Sequence, residues 1–410
     1  MLTPEELLHI SEGAEEIAEQ LHQDILNSII ERITARLERG DKYVLTTYDK
    51  WQIEVLQESG MLLEDIQKAI AKRTPYLQSE IAEAMEDAGV RSIKYDDDIY
   101  TAAGLSPLPL EDSPHLIRLM QRNYEKTLGE MRNFTGTLAN AAQQSFIQGC
   151  DKAYNLVTSG AMSYSEAVKT VINDIAKDGV IITYPSGHTD TIETATLRAV
   201  RTGVAQATAE ITDARMEEMD WDIILVSSHL GARVTGNDDY TNHFWWQGKF
   251  YSKSGKDKRF KPFSVCGKGH VQGICGANCR HSYGPGDGEF NPYDQFDSEE
   301  NQKAYEQQQR QRTLERRIRK TKREVMSLQT ARDSASDEAT RTIIEKEYQR
   351  KAAVLQRQNQ EYNTFCDDND LKKLNDRIAI AKWDRQIAAA ARAAAKKWKN
   401  KAKQKRAKEE

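Results

Sequence analysis

The stretch GICGANCRHSYGPG, residues 273–286, sets two cysteines and a histidine in a glycine-rich turn, within a chain that elsewhere patterns as helix. Four glycines and a proline in fourteen residues exclude a helix at this point. Upstream, WDIILVSSH at Trp221–His229 is rich in β-branched and apolar residues and predicts a strand. The region from there to about Pro292 is therefore expected to form a compact α+β or irregular module. Set against its surroundings, the reading is a mainly α fold that carries one small Cys/His-containing α+β module and ends in a long helical C-terminal region.

Helix signals on both sides are explicit. In TPEELLHI, Thr3 supplies a cap, Pro4 suits the first helical position, and Glu5 and Glu6 complement the helix dipole. Leu7, Ile10, Ala14, Ile17, Leu21, Ile25, Ile29 and Ile33 recur at steps of three and four, an apolar stripe that needs a partner surface and is expected to end at Gly40. Shorter helices are expected around residues 48–58, 62–73 and 77–88, before the break GLSPLPLEDSP at Gly104–Pro114. Residues 115–159 lack proline and predict a long helix or helix pair. SYSEAVKTVINDIAKDG combines serine caps, the apolar positions Val168, Val171, Ile172 and Ile175, and a terminal glycine, which define one helix. GVIITYPSG predicts a strand or hairpin, after which TIETATLRAV returns to helical spacing.

After Pro292 the final 118 residues contain neither glycine nor proline. Apolar positions there, with capping-type breaks at DSASDE and CDDND, predict two or three long helices, paired as antiparallel neighbours or as a coiled coil. Four consecutive regions follow: an N-terminal helical region, 1–105; a helical core, 106–220; the Cys/His module, 221–295; and long charged helices with a basic tail, 296–410.

Composition bounds the function. Charged residues make up 30% of the chain and mean hydropathy is −0.72, which points to solvent-facing, elongated helices around local cores. The longest apolar runs fall far short of the ~20 residues a membrane span needs, and MLTPEELLHI lacks the pattern of a signal peptide, so a non-membrane, non-secreted protein is expected. An odd count of five cysteines, with Cys150 and Cys366 remote from the other three, disfavours a disulfide framework. Neither a P-loop nor a dinucleotide fingerprint is present to carry nucleotide chemistry.

Cys266, Cys275, Cys279 and His281 lie close enough for one turn-rich loop to aim them at a point, and thiolates with imidazole suit a tetrahedral Zn²⁺. His243, in NHFWWQGKFY, adds a ligand from outside the loop; packed among aromatics, it equally suits a hydrogen-bonded core position. The metal set is read as His243, Cys275, Cys279 and His281, holding a structural zinc, with Cys266, His229 or His270 as substitutes. The competing chemistry is a metal-dependent nuclease in which a histidine activates water, for which no acidic pair is evident.

Charge is unevenly divided. The formal net charge of −5 splits into +10 for residues 297–410 and −15 for the remainder. Eleven basic residues against Asp384 alone fall between Lys382 and Lys408, on an alanine-rich helical sequence suited to sequence-independent contact with a DNA backbone. The DNA-contact residues are read as Arg392, Lys396, Lys397, Lys399, Lys401, Lys403, Lys405 and Arg406.

Four separated blocks carry a family resemblance: residues 163–206, VSSHLGARV at 226–234, HFWWQGKFY at 243–251, and GICGANCRHSYGP at 273–285. Their order and chemistry resemble phage minor capsid proteins of the minor capsid protein 2 family, over roughly Pro107–Pro285. Arg233, His243 with Gly248, and Asn278-Cys279-Arg280-His281 also resemble the pattern of the broader Mu F-like minor head proteins, with His281 standing where a second thiol is usual. The insertion TGNDDYTN separates Arg233 from His243 and departs from that pattern. The resemblance implies a non-enzymatic structural head protein near the portal vertex, with portal and major capsid proteins as partners in an oligomeric assembly. It implies presence in the virion and, during assembly, in the host cytoplasm. The basic tail adds packaged double-stranded DNA as a partner.

Overall fold

A computed structural model describes residues 1–37, 48–184 and 186–409; side chains at 48, 49, 178 and 405–409 lie outside the description, as does Gly40. The architecture is mainly helical. In chain order the N-terminal part comprises α1 (Pro4–His9), α2 (Glu12–Leu37), α3 (Tyr48–Ala102), α4 (Pro114–Thr158) and α5 (Tyr164–Asp178). A hairpin of β1 (Ile181–Thr183) and β2 (Thr189–Thr191) leads into α6 (Ile192–Glu218). The module contains β3 (Ile223–Val226), the single turn α7 (His243–Trp246), β4 (Phe250–Ser252), β5 (Lys261–Pro262) and β6 (Tyr283–Pro285). Three helices follow: α8 (Ser298–Ser334), α9 (Glu338–Asp368) and α10 (Arg385–Glu409).

Local chemistry explains several boundaries. Thr3 and Glu6 form a reciprocal capping box at α1, the Thr3 hydroxyl accepting from Glu6 N at 3.2 Å and the Glu6 carboxylate from Thr3 N at 2.7 Å. Ser163 caps α5, and Gly179 ends it with φ +67°, a conformation L side chains rarely adopt. A Cβ on Gly179 would also meet His22 Nε2 at 2.8 Å, so glycine is required there twice over.

One expectation is corrected. The three short helices read between residues 48 and 88 are parts of the single 55-residue α3. Its buried positions Trp51, Val55, Leu62, Ile66, Leu77, Ile81, Met85 and Ala88 form one continuing stripe. That burial outweighs the local cost of Gly60 and of Pro75, which lies inside the helix without ending it. The expected long helix at 115–159, the hairpin, and the breaks at DSASDE and CDDND are all present.

In space the described chain groups into two compact units, each drawn from three segments. The first comprises Met1–Ile17, Pro75–Asn133 and Thr194–Gln309; the second comprises Ala18–Thr74, Phe134–Glu193 and Arg310–Glu410. Within the first, Ile93, Leu116, Ile211 and Ala214 form a core cluster covered by Leu110, Leu119 and Met120. The same unit holds the four-stranded sheet, in the order β5-β4-β3-β6. β3 pairs antiparallel with β4 and with β6, placing Leu225 opposite both Phe250 and Gly284.

In the second unit the terminal helices pair within the chain. Arg317–Glu361, Glu324–Lys351 and Arg332–Glu345 are ion pairs whose numbers rise on α8 as they fall on α9, the signature of antiparallel neighbours. The Lys401 ammonium donates to Gln349 Oε1 at 3.2 Å, and α10 returns along α9. A buried ionic group ties three further elements together: Arg323 lies 2.9 Å from one oxygen of Glu193, and His22 Nδ1 lies 2.9 Å from the other. His22 Nε2 accepts from Val180 N at 3.1 Å, so Nδ1 carries the proton and donates to Glu193. Burial by itself would raise the Glu193 carboxyl, but His22 and Arg323 outweigh it and hold it well below the usual carboxylate range.

Candidate functional site

The sheet carries the module's chemistry to one place. His281 lies two residues before β6, whose pairing with β3 continues through the bond from Ser227 N to Ser282 O at 3.0 Å. His243 is the first residue of α7, capped by the Asn242 side chain, which accepts from Trp245 N. Gln247 ends that turn. Cys279 comes from the glycine-rich loop, which folds so tightly that a Cβ on Gly273 would fall 2.0 Å from the carbonyl oxygen of Gly267. Cys275 and Asn278, with φ of 57° and 61°, bend the same loop through the left-handed region.

Among the described residues, His243, Cys279 and His281 are the group whose ligand atoms lie within 4.8 Å of one another, and all three are buried. Cys279 Sγ stands 3.8 Å from His243 Nδ1 and 3.6 Å from His281 Nδ1. Tetrahedral zinc with ordinary bond lengths separates an N and an S ligand by about 3.5 Å, so the three atoms already outline one face of such a site.

Hydrogen bonding fixes which imidazole nitrogen is bare. His243 Nε2 lies 2.8 Å from the carbonyl oxygen of Gln272, which can only accept, so Nε2 carries the proton. His281 Nε2 lies 3.0 Å from Gln247 Oε1, and that oxygen also accepts from His229 N at 3.1 Å, which orients the amide. Both Nδ1 lone pairs are thereby left facing the Cys279 sulfur. Metal-binding histidines characteristically donate the other ring N–H to a carbonyl in this way. Burial holds His243 down at about 4 and His281 well below the usual histidine range, so both rings stay neutral near neutrality. Burial also raises the Cys279 thiol, an effect that backbone contacts at His281 and Cys275 and the charges of Arg233 and Arg280 oppose.

The other sequence candidates stand nearby without joining that set. Cys275 is buried, and its thiol, like that of Cys279, lies 3.8 Å from the carbonyl oxygen of His281. Cys266 is buried, with its thiol pushed up to about 12 chiefly by burial. His229 stacks on His281 at 4.5 Å between centroids, and His270 stacks on Tyr240 at the same distance. The insertion TGNDDYTN does not uncouple Arg233 from His243. Phe244 N donates to Arg233 O at 3.1 Å, and the Arg233 guanidinium reaches the same Gln272 carbonyl at 3.4 Å. Sequence reasoning missed Gln247 and Gln272, the first a side-chain and the second a main-chain acceptor; only the amide of Gln247 left any signal, a polar residue inside an aromatic run.

The basic tail forms α10. Arg392, Lys396, Lys397, Lys399, Lys401 and Lys403 are exposed along it, while Ala391, Ala394 and Ala395 are buried in the seam toward α9. Lys405 and Arg406 lie outside the described side chains. A second basic run, Arg310–Arg323, contains eight basic residues with Glu315 the sole acid. There the charge serves the fold: Arg310 and Arg317 clamp Glu361, Arg323 holds Glu193, and Lys322 donates to Ile378 O and lies over the Trp383 ring.

The family model described as phage minor capsid protein 2 matches residues 2–365, nearly the whole chain, and the chain belongs to this family. A relative described as a structural protein of Lactococcus phage LL-H is 23% identical over 317 residues, covering 74% of this chain and 84% of the relative. No solved structure matches the chain significantly. The family match stops inside α9, so α10 lies beyond it.

Proposed function

We propose that this protein is a structural component of the phage head, built into the virion at or near the portal vertex, where it contacts portal and major capsid proteins in an oligomeric assembly. Membership of the minor capsid family across residues 2–365 is the observation that carries this reading, and the relative described as a phage structural protein accords with it. Among the described residues no helix is long and apolar enough to cross a membrane. The protein is assembled from the host cytoplasm and acts without catalysis. Residues 221–295 act as a rigid joint, with His243, Cys279 and His281 holding a structural zinc ion and Cys275 completing the set. The basic helix contacts packaged double-stranded DNA.

Several features support these finer points. The three ligand atoms are buried together with no exposed face at which a substrate could meet an ion. A zinc ion there would clamp the loop to the sheet and to α7. Purified heads analysed by quantitative mass spectrometry should contain the chain at a fixed copy number per particle; its absence from heads rejects the structural reading. The same protein incubated with plasmid DNA and divalent metal should leave the DNA intact, whereas cleavage lost on His243→Ala would establish a nuclease instead.

A further inference from the structure

The distribution of charge around α10 carries more than its total. At 3.6 residues per turn, Arg392, Lys396, Lys399 and Lys403 follow steps of four, three and four and line one flank of the helix. Lys397 and Lys401 are one step of four apart and line the opposite flank, where the exposed Lys401 ammonium also donates to Gln349 of α9. The buried seam of Ala391, Ala394 and Ala395 lies between the flanks on the side toward α9. The outward side, between the flanks on the far side, presents Ala389, Ala393, Asn400 and Gln404, all exposed and all uncharged. By sequence the one acidic residue of α10 is Glu409, in its last turn.

A surface made for an acidic protein patch, or for one phosphate chain, gains most from charge concentrated on its outermost ridge. Here the ridge is neutral and small, and the charge stands to either side. From this arrangement we infer that α10 lies in the major groove of duplex DNA, its two basic flanks meeting the phosphates of the two strands that border the groove. The dimensions agree: an α-helix is about 10–12 Å across with its side chains, and the major groove is about 12 Å wide. A helix supported from behind by a second helix, with its far side free, is the arrangement that places recognition helices in the groove. Alanines on the ridge let the helix approach the base edges closely. Asn400 and Gln404 are the only polar side chains among those four, too few to specify a sequence, so the contact is sequence-independent.

This inference rests on the proposal that the basic helix contacts packaged DNA, and its test separates the two. The full-length chain is titrated into a labelled 30-base-pair duplex of mixed sequence, over a series of salt concentrations. Two variants are compared with it: Arg392→Gln/Lys396→Gln/Lys399→Gln/Lys403→Gln for one flank, and Lys397→Gln/Lys401→Gln for the other. All six replaced side chains are exposed, but Lys401→Gln also removes the bond to Gln349 of α9, so circular dichroism checks that both variants stay folded and Lys397→Gln alone is measured beside the second. A third arm uses the same duplex with glucosylated hydroxymethylcytosine, which fills the major groove. The expected result is that both variants bind more weakly and that the slope of log K against log salt falls by up to about 0.9 per charge removed, with at least a tenfold loss on the glucosylated duplex. If the first variant alone loses affinity and glucosylation has no effect, groove insertion is wrong while DNA contact stands. If the unaltered chain shows no salt-dependent duplex binding, both fall, and the helix is then a protein-binding surface.

Discussion

At the scale of single residues, the Cys/His centre depends on side chains that never touch the proposed ion. Gln247 holds the proton of His281 on Nε2 and so keeps Nδ1 bare. Gln247→Leu should lower zinc affinity ~10–100-fold, as outer-shell changes generally do, measured by competition with a calibrated chelator. Cys279→Ser, which removes the atom common to both close contacts, should reduce bound zinc from one equivalent to a trace by elemental analysis of the intact chain. The same measurement on Cys275→Ser decides whether a second thiol takes part. Gly273→Ala should also weaken the centre, because the added methyl meets the Gly267 carbonyl and forces the loop open.

At the scale of elements, the buried group of His22, Glu193 and Arg323 joins α2, the start of α6 and α8 within the second unit. Glu193→Gln removes the charge that both partners face and should cost about 3–5 kcal/mol of stability, the usual penalty for breaking a buried ion pair from one side, read from chemical denaturation. The pH dependence has a definite sign. A carboxyl held below its ordinary value in the folded state binds fewer protons there than in the unfolded chain, so its stabilising contribution is complete above the unfolded pKa and is lost as the pH falls through the folded value. The unaltered protein should therefore lose stability on acidification below about pH 4.5, the ordinary glutamate range, more steeply than the Glu193→Gln variant does.

At the scale of the whole molecule, the two basic runs of the C-terminal third have separate fates. In α8, Arg310 and Arg317 pair with Glu361 and Arg323 pairs with Glu193, whereas along α10 the lysines stand exposed on a helix that lies beyond the part shared with the family. Removing residues 385–410 should leave the α8–α9 pairing intact, because its ion pairs involve none of them, and should abolish salt-sensitive DNA retention. Circular dichroism and a duplex-binding titration on the truncated chain check the two halves of that expectation. Retained binding would move the DNA contact elsewhere.

Much of this was legible in the amino-acid order. Helix starts at Thr3 and Ser163, the stop at Gly179, the strand at Ile223–Val226 and the long C-terminal helices are local events, set by capping groups, backbone freedom and the spacing of apolar side chains. The joining of three short helical patterns into α3 was not legible, because whether Pro75 ends a helix depends on how much apolar surface the continuing stripe buries. The candidate centre is legible as residue types: His243, Cys275, Cys279 and His281 are all metal-ligand side chains, and the structure gathers the first and the last two of them. What only the tertiary structure decided was their convergence, the tautomer each imidazole adopts, and which charges of the two basic runs are held in ion pairs. Those depend on contacts between residues far apart in the chain, such as His243 with Gln272 and Arg317 with Glu361, and no local pattern encodes a distance between atoms that only folding brings together.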